Sequence, residues 1–134
     1  MEKIETIKSA GLLEEGLDVL HQESQEWLSE VAFWKDEVEF YYGLVVRKTI
    51  HKLPVTSKDA AAKIEGELIR ITGGELDQLQ QEIEMHEYYL NQLLESKQTD
   101  EERYREKHKL LLNKIHDFET KFKSLKADIF KLTR

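Results

Sequence analysis

Apolar residues recur along this chain at alternating spacings of three and four. The first run is Leu13, Leu17, Leu20, Ser24, Trp27, Val31, Trp34, Val38, Tyr41 and Val45, with only Ser24 polar. The second is Ile69, Thr72, Leu76, Leu79, Ile83, His86, Leu90 and Leu93, and the third is Tyr104, His108, Leu111, Ile115, Phe118, Phe122, Leu125, Ile129 and Leu132. Such spacing places every member on one stripe of an α-helix, the seam by which coiled-coil helices pack.

Helix breakers separate the runs. Pro54 disfavours helical geometry at Leu53, and Thr56 or Ser57 is placed to cap the next helix. Thr99-Asp100-Glu101-Glu102 reads as a capping box in which Thr99 and Glu102 satisfy free amides of the third helix. Both connections are short, which makes neighbouring helices antiparallel. The expectation is an all-α, up-down-up bundle of three long helices, each roughly 35–40 residues and ~50–60 Å long. Gly73-Gly74 would make it four helices if the second broke there. The Ile69, Thr72, Leu76, Leu79 phase runs through the glycines, so a continuous or kinked helix is expected. Residues 1–134 read as one domain, with 1–11 a frayed or flexible N-terminal segment.

In architecture alone, three heptad helices with Trp27-Leu28 inside the first resemble spectrin-type repeats. The third helix has no Trp, and the resemblance implies no residue role.

Composition removes several classes of chemistry. The chain has no Cys and one Pro, which excludes disulfide scaffolds, cysteine metal sites and thiol nucleophiles. No apolar leader and no run near the ~20 apolar residues of a membrane span are found, so a cytoplasmic protein without membrane contact is expected. The net charge of −7 is uneven: residues 103–134 hold ten Lys/Arg against four Asp/Glu, and the rest is acidic. Flanking attraction between a basic third helix and acidic neighbours accounts for this. Because Phe118 and Phe122 fall in the seam, no aromatic platform for nucleic acid is expected.

Neither a phosphate loop nor a Ser-His-Asp arrangement is found, so no catalytic residue and no cofactor is assigned. Helix pairing does bring His21, His86 and His108 toward one end, near Ser24, Tyr89 and Tyr104. One reading is a small-molecule or metal site on those three histidines, with Asp18 and Glu82 nearby. The other is that the seam histidines are held by the hydroxyls of Ser24, Tyr89 and Tyr104 and fix the register.

A seam uses two positions per heptad, and this chain has apolar residues to spare. Phe33, Phe40 and Leu44 on the first helix, Ile64, Leu68 and Ile71 on the second, and Phe130 on the third form a second stripe at the end opposite the histidines. They signal either a locally thicker core or a contact surface. Reach weighs against cover by Ile4, Ile7 and Leu12 of the N-terminal segment. The expected function is therefore a non-catalytic interaction module that forms homo-oligomers, dimers in the simplest case, through this stripe.

Overall fold

The computed structural model describes residues 13–50, 53–96 and 100–134. It is the expected all-α bundle. Helix α1 (Leu13–Ile50) runs up, α2 (Val55–Arg70) and α3 (Leu76–Ser96) together run down, and α4 (Glu101–Thr133) runs up again. The second rod is kinked: α2 and α3 are joined through the wide π turn Ile71–Glu75, where Gly74 leaves helical angles. Among the described residues no helix is long and apolar enough to cross a membrane.

The heptad seams of α1, α3 and α4 form the core. Trp27, Val31, Trp34, Val38, Tyr41 and Val45 meet Leu76, Leu79 and Ile83 and the α4 series from Leu111 to Ile129, all buried. A second apolar cluster of Leu17, Leu90, Leu93 and Tyr104 closes the other end. Each such side chain removed from water contributes ~1.5–3 kcal/mol, so the stripes determine how the helices lie. Ion pairs bind the basic fourth helix to its acidic neighbours: Lys114 to Glu82 at 2.8 Å, Lys121 to Glu75 at 3.5 Å and Lys126 to Glu37 at 3.3 Å.

In α2 the structure corrects the sequence reading. Ile64, Leu68 and Ile71, assigned to the surface stripe, are core residues, whereas Ile69, assigned to the seam, is 52% exposed and Thr72 faces water. The π turn is the reason. Its wider loop takes in one extra residue, so the buried series is Ala61, Ile64, Leu68, Ile71, then Leu76, with a step of five across the turn. Gly74 departs from helical angles there (φ 167°, ψ −27°), and Arg70 spans the turn, bonding Glu67 and Glu75 at 2.7 Å each.

The caps also differ from expectation. Pro54 itself is the N-cap of α2, its carbonyl accepting from the Ser57 amide at 2.8 Å, with no side-chain cap from Thr56 or Ser57. On α4 the cap is Asp100, whose carboxylate accepts from the amides of Glu102 and Arg103. A charged acceptor at the positive end of the helix is the stronger choice. Thr99, like Ile4, Ile7 and Leu12, lies outside the described residues.

Candidate functional site: an exposed aromatic face and a buried histidine pair

Two regions carry more chemistry than packing requires, and the first is the face shared by α1 and α4. Phe33 and Phe40, seven residues apart on α1, are 61% and 60% exposed, and Phe130 on α4 is 47% exposed. Tyr41 links them. Its ring meets Phe40 edge-on at 5.3 Å, Phe130 at 5.9 Å and the buried Phe122 at 6.4 Å. Leu44 is partly buried against the core beside them. Of the seven residues expected on the second stripe, the structure thus keeps Phe33, Phe40, Leu44 and Phe130 together and moves Ile64, Leu68 and Ile71 into the core.

Charge on this face is divided between the helices. Along α1 the heptad stripe of the phenylalanines begins with Glu26, and Glu30 and Asp36 adjoin it. Burial, then Glu119 and Glu26, raise the Glu30 carboxyl above the usual carboxylate range. The corresponding stripe of α4 reads Lys109, His116, Lys123 and Phe130, all exposed.

The second region is a polar layer in the core. His86 Nε2 and His108 Nδ1 lie 3.0 Å apart, and His108 Nε2 lies 2.7 Å from the Glu23 carboxylate. A carboxylate only accepts, so His108 Nε2 donates to Glu23. In neutral His108, Nδ1 then accepts, and His86 Nε2 is the donor to it. The chain of donors runs outward and leaves His86 Nδ1 a bare acceptor, buried and without a hydrogen-bond partner. His86 stacks flat on Tyr104 at 4.2 Å, and His108 stacks on Trp27 at 4.6 Å. Burial above all, then His108 and Lys107, lower the His86 pKa to about 4. Burial, with Glu87 nearby, raises that of Tyr104.

The three expected histidines do not converge. His21 is half exposed and pairs with Glu87 at 2.7 Å, and takes no part in the hydrogen bonds that join His86, His108 and Glu23. Among the described residues no three His, Asp or Glu side chains gather as metal donors, so the ligand set His21, His86 and His108 is withdrawn. Nor do hydroxyls hold the seam histidines. Ser24 Oγ and Tyr104 OH have no hydrogen-bond partner, and Tyr89 donates to the Asp100 carbonyl at 3.3 Å. Sequence reading missed Glu23, which stands one residue before a seam position of α1. Matching levels between the parallel helices α1 and α4 would have found it.

Beside the pair, a groove of about 590 Å³ opens between α3 and α4, bounded by Met85, His86, Tyr89 and Leu110, with Arg103, Glu106 and Lys107 at its edge. No protein-family model, curated protein or solved structure matches this chain. The two regions are therefore read from their geometry.

Proposed function

We propose that the protein is a non-catalytic helical interaction module that associates with a second copy of itself through the α1/α4 face. The observation that carries this reading is the exposed aromatic face on which Phe40 and Phe130 flank Tyr41 and Phe33 stands one heptad before Phe40. Large aromatic side chains clustered on a flank are what interfaces bury, and a monomer has little reason to gather them. The rest of the molecule supports the reading, because its seams are filled and its ion pairs fix the helices as a rigid platform.

Sedimentation equilibrium tests it. The wild-type chain is expected to dimerise with a melting temperature that rises with concentration, and Phe40→Glu to be monomeric with native helix content and a melting temperature independent of concentration. A wild-type monomer at high concentration would remove the proposal.

A second reading, binding of a small amphipathic molecule, draws on the groove lined by Met85, His86, Tyr89 and Leu110 with cations at its edge. Its probe is an anilinonaphthalene sulfonate dye, with aromatic rings for Met85 and Leu110 and an anionic group for Arg103 and Lys107. Saturable fluorescence lost in Leu110→Glu would favour this reading, and no signal above that of the variant would end it.

A further inference from the structure

Resting on the self-association reading, we propose that the two copies pair in parallel about a two-fold axis along the helices, with α1 of each protomer against α4 of the other. The argument is charge and level. Over the levels that would meet, the outer stripe of α1 is acidic and aromatic, Glu26, Phe33 and Phe40, and that of α4 is basic and aromatic, Lys109, His116, Lys123 and Phe130; the opposite charges, Arg47 and Glu102, stand one heptad beyond the ends of this span. A face-to-face dimer has two simple two-fold solutions. With the axis across the helices, α1 meets its own copy and α4 meets its own, antiparallel, which lays one acidic stripe along another and one basic stripe along another. With the axis along the helices, each acidic stripe meets a basic one. Like charges brought together at an interface select against the first solution more than the ion pairs add affinity to the second.

Levels agree with this choice. A closed two-fold axis along the helices permits no axial slide, so each residue of α1 meets the partner's α4 at its own height. Within one chain, Glu23 meets His108 and Trp34 meets Phe118, offsets of 85 and 84 residues. On that offset Glu26 stands between Lys109 and His116 of the partner subunit. Phe33 comes between His116 and Lys123 of the partner subunit, and Phe40 between the partner's Lys123 and the partner's Phe130. The exposed phenylalanine rings thus gain cations and a further ring. The Glu30 carboxyl, crowded by Glu119 and Glu26 and ion-paired with no cation among the described residues, gains the partner's His116. Between Lys109 and Phe130 the acidic side chain adjoining the α4 stripe is Glu119, and His116 of its own chain already sits 3.8 Å from it; Glu102 stands one heptad before Lys109, beyond the level of Glu26.

Because the chain has no cysteine, introduced thiols report orientation cleanly. Glu26→Cys and Lys109→Cys chains, unfolded together, refolded and oxidised, are expected to give a disulfide-linked dimer, whereas neither variant alone does. Lys109→Glu/Lys123→Glu is expected to weaken association about tenfold or more, since it turns only one side of each contact. A wild-type dimer with no cross-link in the mixture, or one whose affinity survives that charge reversal, overturns the parallel arrangement and leaves self-association standing. A monomeric wild-type chain overturns both.

Discussion

With His108 neutral, His86 donates through Nε2 to His108 Nδ1 at 3.0 Å, and this contact fixes the tautomer of a buried imidazole in the middle of a largely apolar seam. The direction is imposed from outside the core by Glu23, whose carboxylate accepts the hydrogen bond of His108 Nε2–H at 2.7 Å. A surface carboxylate on α1 therefore orients a side chain on α3 through one on α4.

The same geometry makes stability depend on pH. In the fold, burial, His108 and Lys107 hold the His86 pKa down to about 4, while in the unfolded chain it returns to its ordinary 6.5. Below that value the unfolded chain takes up a proton that the fold refuses. The stabilisation is present in full above pH 6.5 and is lost as pH falls toward 4, by at most ~3 kcal/mol. Urea unfolding at intervals between pH 7.5 and 4.5 measures it, with His86→Leu as the control because surface carboxylates also titrate near the lower limit. The variant is expected to show a clearly shallower slope from 6.5 downward, and equal slopes would mean that another group governs the loss.

Removing one imidazole differs from removing both. His86→Leu leaves the buried Nδ1 of His108 without its donor, and His108→Leu leaves both nitrogens of His86 unpartnered, so each single change is expected to cost about 1–3 kcal/mol. In the double variant Glu23, which is partly exposed, turns to water and no orphaned imidazole nitrogen remains. The double change is expected to cost less than the sum of the singles, and a double-mutant cycle by denaturant unfolding reads the difference. Additive costs would show that the two rings do not depend on one another.

Most of the fold could be read from the sequence because seam positions repeat by simple counting, and the buried set from Leu17 to Val45 and from Tyr104 to Ile129 follows that count. Reading failed where one residue of irregularity changes everything upstream. Counting back through Gly73-Gly74 in constant phase exchanged Ile69 for Leu68 and Thr72 for Ile71, which turned core into surface. The aromatic face was half legible for the same reason: Phe33, Phe40 and Phe130 were identified, but their facing stripe was sought on α2, not α4. Glu23 and the basic stripe from Lys109 to Lys123 were not recognised, since only antiparallel neighbours had been matched and these belong to the parallel pair.

That exchange of positions gives a direct test on neighbouring residues. Leu68 is fully buried in the main core and Ile69 is 52% exposed. Leu68→Ala is expected to cost about 2–5 kcal/mol. Ile69→Ala should stay within ~0.5 kcal/mol. Comparable losses at the two sites, measured by urea midpoints, would contradict the register across the π turn.

A final consequence concerns the turn itself. If Ile71–Glu75 holds one residue more than an α-helix would, deleting Gly74 should let the second rod close into continuous α-helix. The deletion does not alter which residues are buried: with one position removed, Ala61, Ile64, Leu68, Ile71 and Leu76 fall at steps of three and four. It also removes a glycine, a residue that costs a helix interior about 0.5–1 kcal/mol. A Gly74 deletion is therefore expected to leave stability unchanged or raise it slightly, by circular dichroism melts and urea unfolding. Deletion of Gly66, which lies in regular helix between Ile64 and Leu68, breaks the phase and should be strongly destabilising. Should the Gly74 deletion prove as damaging as that of Gly66, the extra residue would be doing something other than resetting the phase, and the core assignment of α2 would have to be abandoned.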